Sequence, residues 1–101
     1  MGFSDIFSPS KIVRATLMKR AKQAVEKTHK QGRLKFIISD DNKVEYTNKQ
    51  GHKEVMTIKN CAGVFWDKLT RELEGKTGSM HSFAAYGISP KDIEGLIKGL
   101  R

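Results

Sequence analysis

The sequence predicts an α+β fold in which a long N-terminal helix precedes a three-stranded antiparallel meander, and two further helices pack on the sheet. Two changes in hydrophobic spacing indicate this order. Apolar residues recur at helical spacing before residue 32, alternate at a spacing of two in residues 33–58, and return to helical spacing afterwards. At 101 residues we expect a single small α+β domain over 1–101, with 1–8 as a candidate flexible segment and 76–88 as a long loop.

The first helix is predicted to lie between Ser8 and Gly32. Ser8 suits the N-cap, Pro9 the first helical position, and Gly32 the position just after the helix. One side of the helix collects small and apolar residues, namely Val13, Leu17, Ala21, Ala24, Val25 and Thr28. The opposite side is basic and carries Lys19, Arg20, Lys22, Lys27 and Lys30, with Glu26 as an acidic residue and Ile12 as an apolar one. Lysines three positions apart, such as Lys19 and Lys22, are neighbours on the helix surface and repel each other slightly. An anionic partner would relieve this repulsion.

Three short strands are predicted next, because the spacing changes to two. Leu34, Phe36 and Ile38 would share one face of a first strand that runs over residues 33–39. Turn residues follow at 40–42 and again at 48–51, and they enclose a second strand with Val44 and Tyr46 on one face. The third strand is expected over residues 53–58, and either of its two faces could point to the core.

The second helix is predicted to begin at Asn60 as N-cap and to end at Gly75. Its apolar stripe consists of Ala62, Phe65, Trp66, Leu69 and Leu73. At this spacing we expect Trp66 to pack in the core, although ligand stacking is an alternative. Cys61 would lie in the first turn, where a helix N-terminus lowers a thiol pKa, but no base is near in sequence and a buried structural thiol is the preferred interpretation.

The last helix has the clearest boundaries. Ser89 suits the N-cap, Pro90 the first helical position, and Asp92 the third, as in a capping box. Its apolar residues are Ile93, Leu96, Ile97 and Leu100. Such a helix either closes the core or mediates self-association, so a homo-oligomer through the C-terminal helix is one predicted partner arrangement.

The net charge of +8 is concentrated in the first third of the chain. Residues 1–35 carry nine Lys and Arg against two acidic residues, whereas residues 36–101 carry ten against nine. A basic segment on an otherwise balanced chain is typical of proteins that bind nucleic acid or another anionic surface, and it is also found on merely solvated faces.

We therefore predict a non-enzymatic nucleic-acid-binding accessory protein that contacts phosphates through a basic helix face. The expected contacts are Lys19, Arg20, Lys22, Lys27, Lys30, Arg33 and Lys35. Binding through phosphates would depend strongly on salt and read few bases. Whether Lys43, Lys49, Lys53 and Lys59 extend this face depends on the fold.

Two alternatives stay open at this point. The chain could be a regulatory or assembly module that docks on an acidic protein surface, with apolar residues near both ends driving association. It could also attach peripherally to a membrane through Phe3, Ile6, Phe7 and the basic helix.

Several classes of protein are disfavoured by the residues themselves. No catalytic pair or triad and no metal-type spacing of His29, His52 and His81 is visible, so we expect no enzyme activity, no metal and no cofactor. No stretch approaches the roughly 18 apolar residues of a membrane span. The single cysteine points to a reducing compartment, from which we predict a cytoplasmic location.

Overall fold

The computed structural model describes residues 9–77 and 83–101, with side chains described for 11–73 and 83–101. Three α-helices are present in this part of the chain: α1 (Pro9–Lys30), α2 (Ile58–Thr77) and α3 (Pro90–Lys98). Strands β1 (Leu34–Phe36), β2 (Lys43–Thr47) and β3 (Lys53–Thr57) lie between α1 and α2, and a short 3-10 turn covers Ala84–Tyr86. The predicted α+β class and element order are confirmed.

The sheet is an antiparallel meander in the order β1-β2-β3. Leu34 pairs with Tyr46, and Val44 pairs with both Phe36 and Met56, so these residues share the face that points to the core. The opposite face, which we call the open face, carries alternate residues such as Lys35, Glu45 and Val55. Val55 is 61% exposed, whereas Met56 packs against the core, so the Met56 side of the third strand faces inward.

α1 ends as the sequence predicts. Gly32 adopts a positive φ of 73°, its N–H donates to the carbonyl of His29 at 3.0 Å, and the N–H of Arg33 donates to the carbonyl of Thr28 at 3.1 Å. These two bonds form a Schellman motif, which satisfies the last helical carbonyls and turns the chain toward β1. The motif therefore fixes where Arg33 leaves the helix.

Two predicted boundaries in the sheet region are wrong. β1 ends at Phe36 because a turn closes at once, with the N–H of Asp40 donating to the carbonyl of Ile37 at 3.2 Å. Ile38 is therefore fully exposed rather than on the core face. α2 begins at Ile58 because the Thr57 hydroxyl, and not Asn60, caps it by accepting the N–H of Asn60 at 3.1 Å.

The end of α2 and the segment after it also differ from the prediction. α2 continues through Gly75 to Thr77, so the predicted long loop of residues 76–88 is partly helical. Ala84–Tyr86 within it forms the 3-10 turn. Residues 78–82, including His81, and residues 1–8 lie outside the described residues.

The core lies between the sheet, α2 and the other two helices. α2 contacts β2 and β3 on one side and packs most extensively on α3, while α1 contacts α2, α3 and β1. The Tyr46 and Phe65 rings meet edge-on with centroids 5.6 Å apart. Trp66 packs against the core and its Nε1 donates to the carbonyl of Ile88 at 2.8 Å, so its predicted packing role is confirmed.

α3 begins with the predicted capping arrangement, since the N–H of Ser89 donates to Asp92 Oδ2 at 2.9 Å. Its Ile93 and Ile97 are completely buried, and Leu96 and Leu100 are half-buried against the same core. The apolar stripe of this helix therefore closes the core of its own chain.

We expect Ile97→Ala to lower the free energy of unfolding by about 2–5 kcal/mol, because it opens a cavity at a fully buried site. Ile38→Ala is the matched control, since the same side chain is 100% exposed there and its loss should cost less than about 0.5 kcal/mol. Chemical denaturation of both variants measures the difference. Equal losses would contradict the packing described above.

Candidate phosphate-binding surface

The basic residues of α1 do not form one uniform face. Lys19 and Lys30 are exposed on the side of the helix opposite Leu17, Ala21 and Thr28, which are buried. The α1 cations nearer the core diverge toward different neighbours, because helix positions 100° apart point to different elements. Two of them face α2, and two others face α3.

Arg20 and Lys27 lie two turns apart on the flank of α1 that faces α2. Arg20 lines a small hollow together with Glu72 and Phe83. Lys27 lines a larger cleft that also includes Glu72. This flank is therefore a line of positive charge along the junction between the two helices.

Lys22 lies on the other flank of α1. Its Nζ is 4.0 Å from Glu26 Oε1, and both residues line a groove against α3 with Leu96 and Leu100. Arg14, closer to the start of the helix, pairs with Asp92 of α3 at 3.8 Å. The positive charge of this flank is thus partly neutralised within the protein.

The cleft beside Lys27 brings together cations from four segments of the chain. We define the basic cleft by Lys27 of α1, Arg33 before β1, Lys49 in the turn between β2 and β3, and Lys68 and Glu72 of α2. Its volume is about 150 Å³. Phe65, Leu69, Ala24, Thr28 and Gln31 complete the lining, so the charged groups surround a partly apolar floor.

Arg33 is held firmly in the wall of the basic cleft. Its Nε donates to the carbonyl of Thr47 at 3.0 Å, and its Nη1 donates to Gln31 Oε1 at 3.0 Å. Its Nη2 is buried and makes no hydrogen bond of normal geometry. Burial raises the pKa of the nearby Tyr46 hydroxyl, and the positive charge of Arg33 partly offsets that rise.

Lys68 is the cation of the basic cleft whose pKa is clearly shifted by its surroundings. Burial lowers the pKa of its ammonium group, and the neighbouring charge of Lys49 lowers it further. Glu72 acts in the opposite direction, and Arg33 adds to the lowering. In the part of the chain that the structure describes, no ion pair within 4.0 Å joins Glu72 to a cation of the basic cleft.

Lys49 is positioned by its turn. Asn48 Oδ1 accepts the N–H groups of Gln50 and His52 at 3.0 and 2.9 Å, and Gly51 closes the turn with a φ of 85°. The Asn side chain thus replaces a backbone acceptor, as in other Asx turns. This arrangement holds the turn, and with it the backbone of Lys49, beside α2.

Lys35 lies elsewhere, on the open face of the sheet. There it shares a surface with Lys43 and Lys53, and Lys43 Nζ is 3.8 Å from Asp40 Oδ2. The seven residues predicted from the sequence are therefore divided. Lys27 and Arg33 meet in the basic cleft, Arg20 adjoins it, Lys19 and Lys30 are on the outer face of α1, and Lys22 and Lys35 point to separate surfaces.

The sequence did not single out Lys68, and it left the position of Lys49 open. A signal for Lys68 was present, because it follows the core residue Phe65 by three positions and so lies beside the buried stripe of α2. Nothing in the sequence showed that the turn carrying Lys49 would meet that helix. Of the lysines whose placement was open, Lys49 joins the cationic set, Lys43 and Lys53 lie on the open face, and Lys59 is exposed in the first turn of α2, outside the lining of the cleft.

Metal sites and membrane spans were also considered for residues 11–73 and 83–101. That part of the chain contains no group of three His, Cys, Asp or Glu residues arranged to hold a metal ion. None of the helices described is both long enough and apolar enough to cross a lipid bilayer.

No protein-family model, curated protein or solved structure matches the chain.

Cys61 is fully buried, and burial raises the pKa of its thiol to about 12. The lowered pKa considered for a first-turn cysteine is therefore wrong, because desolvation of the thiolate outweighs the effect of the helix N-terminus. The preferred interpretation of Cys61 as a buried structural thiol agrees with this environment.

Stability should consequently fall at high pH through Cys61. The folded pKa lies above the ordinary value of 9.0, so this contribution is complete below pH 9 and is lost as the pH rises toward 12. At pH 10 the loss should be on the order of 1 kcal/mol. Denaturant titrations at pH 7 and pH 10 should show this extra loss in the wild type and not in Cys61→Ala, and an equal fall in both proteins would contradict it.

Proposed function

We propose that the protein is a non-enzymatic accessory protein that binds the phosphate backbone of nucleic acid through α1 and the adjoining basic cleft. The observation that carries this proposal is the convergence of Lys27, Arg33, Lys49 and Lys68, from four separate segments, around a cleft lined by one carboxylate. A solvated helix face would not require cations from other elements to meet it. Polyanions that span several phosphates match such a surface.

The proposed contacts fall into a central and a flanking group. Lys27 and Arg33 form the centre with Lys49 and Lys68, while Arg20, Lys19 and Lys30 extend the surface along α1. Lys22 and Lys35 were also predicted to contact phosphates, and they would do so only where the nucleic acid reaches the α3 flank or the open face. We therefore expect them to contribute less.

Binding of this kind should be largely independent of base sequence. The Phe, Tyr and Trp side chains that the structure describes are all buried or half-buried, so they offer no broad stacking platform for single-stranded bases. Lys and Arg contacts to phosphates position a duplex without reading it. Duplex DNA or RNA is accordingly the better probe.

A salt series with labelled duplex tests the proposal. Lys19→Gln/Lys27→Gln/Lys30→Gln should weaken binding and flatten the log–log salt slope by about 0.9 for each lost contact with B-DNA, or by up to about 2.7 in total. The matched control is Lys59→Gln/Lys91→Gln/Lys98→Gln, which removes the same charge from exposed positions outside the surface. Circular dichroism establishes that both variants fold.

No duplex binding by the wild type at low salt would overturn the proposed function. An equal effect of the two triple variants would show that net charge, and not the surface described, attracts the duplex. Binding that is tight and insensitive to salt would argue against phosphate contacts as its source.

The protein-interaction alternative is favoured by one feature, the groove between α1 and α3. Its lining combines half-buried Leu96 and Leu100 with Lys22 and Glu26, and its volume is about 280 Å³. A salt-tolerant complex with an acidic protein partner, weakened by Leu96→Ser, would support this alternative. Self-association through the C-terminal helix stays a prediction, since its most apolar residues are buried in the chain's own core.

The described residues do not test three further predictions, which concern membrane attachment, location and enzymatic activity. The membrane alternative depends on Phe3, Ile6 and Phe7, which lie outside the described residues. The cytoplasmic location and the absence of enzymatic activity also stay predictions, because no contact in the structure bears on them.

A further inference from the structure

The basic cleft is more than a part of a positively charged surface, because its charges face one another. Lys27, Arg33, Lys49 and Lys68 line it with Glu72, which leaves a formal excess of three positive charges around about 150 Å³. That volume is roughly ten times the ~10–15 Å³ that one water molecule needs. The cleft is therefore large enough for an anion of several atoms.

Part of the cleft is held in place before any ligand binds. Arg33 is fixed by hydrogen bonds to Thr47 and Gln31, and the turn of Lys49 is fixed by Asn48. Lys68 is half-buried on α2, a helix whose neighbouring Phe65 is buried in the core. A ligand therefore has to order the exposed Lys27 and Lys49 side chains, whereas the Arg33 charge is already in place.

The positive charges of the cleft are only partly compensated. Arg33 Nη2 is buried within the wall without a hydrogen bond of normal geometry, so a ligand in the cleft feels its charge but does not contact it. Lys49 and Lys68 lie close enough that the charge of the first makes the second easier to deprotonate. An oxyanion placed between Lys49 and Lys68 would accept a hydrogen bond from each ammonium group and remove their mutual repulsion, while the fixed charge of Arg33 in the wall adds to the attraction.

We propose that the basic cleft is a discrete binding site for a doubly charged phosphate group, with Lys49 and Lys68 as its principal ligands, Arg33 as a fixed charge in its wall and Lys27 as a further cation of its lining. A dianion matches the excess of positive charge better than a singly charged carboxylate does. Several oxygens are also needed to reach donors that come from separate segments of the chain.

This site does not depend on the proposed nucleic-acid function. A terminal phosphate at the end of a nucleic-acid strand and a small phosphorylated compound present the same dianionic group. The two sources therefore have to be separated by experiment.

The test is a titration of the full-length protein with inorganic phosphate at pH 8, at constant ionic strength, followed by ¹H–¹⁵N NMR. We expect saturable shifts at the amides of residues 48–51 and 65–72. Lys68→Gln and Lys49→Gln should each weaken phosphate binding about tenfold, since each removes one charge-assisted contact. Lys91→Gln, which removes an exposed charge from α3, should change it less than about twofold.

Several results would overturn the proposal. Shifts that do not saturate, or that acetate at equal ionic strength reproduces, would show general screening rather than a phosphate site. Equal affinities in Lys49→Gln, Lys68→Gln and Lys91→Gln would show that the phosphate binds elsewhere. Lys49 lies in an exposed turn, so its variant keeps the test valid even where Lys68→Gln fails to fold.

Competition with duplexes separates the sources and separates this proposal from the previous one. Displacement of phosphate by a 5′-phosphorylated duplex, and not by the same duplex with 5′-hydroxyl ends, supports the site and assigns it to a nucleic-acid end. Saturable phosphate binding without any duplex binding supports the site for a small phosphorylated compound while the nucleic-acid function fails. Duplex binding without saturable phosphate binding overturns the site and leaves the nucleic-acid function in place.

Discussion

The packing of α2 between the sheet and α3 is the interaction on which the rest of the structure depends. The Phe65 ring of α2 meets the Tyr46 ring of β2 edge-on. The indole N–H of Trp66, the next residue, donates a hydrogen bond to the carbonyl of Ile88 just ahead of α3. Because these contacts fix the rotation of α2 about its axis, they also fix where its polar side chains point. Lys68, three positions after Phe65, is thereby brought to the junction with α1. The same helix thus builds the core and positions a cation of the basic cleft.

A second constraint acts where α1 meets the sheet. The Schellman motif at Gly32 turns the chain within one residue, and Arg33 then bonds to the carbonyl of Thr47 on β2. The guanidinium group is consequently anchored from two directions at the edge of the core. In proteins, charges that are held this way and left without a carboxylate partner are often functional, although structural networks also perturb them. The proposed phosphate site gives the arrangement a physical reason.

Much of the fold could be predicted from the sequence, because its signals are local. The C′ glycine of α1, the alternation of Val44 and Tyr46, and the Ser89–Asp92 cap each involve residues a few positions apart, and all are confirmed. The errors arose where two local signals compete. Ile38 continues the alternation of β1, but the strand ends at the turn before reaching it, and its side chain is exposed. Asn60 suits an N-cap, but the Thr57 hydroxyl caps α2 instead.

The candidate site was only partly predictable, because it depends on contacts between distant segments. The sequence located the excess charge in α1, yet it could not show that this charge divides between two flanks or that Lys49 and Lys68 complete one of them. The measurement that tests this convergence most directly is the pKa of the Lys68 ammonium group, followed by NMR of its side chain. We predict a pKa below the ordinary lysine value of 10.5 that rises in Lys49→Gln and is unchanged in Lys91→Gln. A Lys68 pKa at or above 10.5 that Lys49→Gln does not change would contradict the convergence.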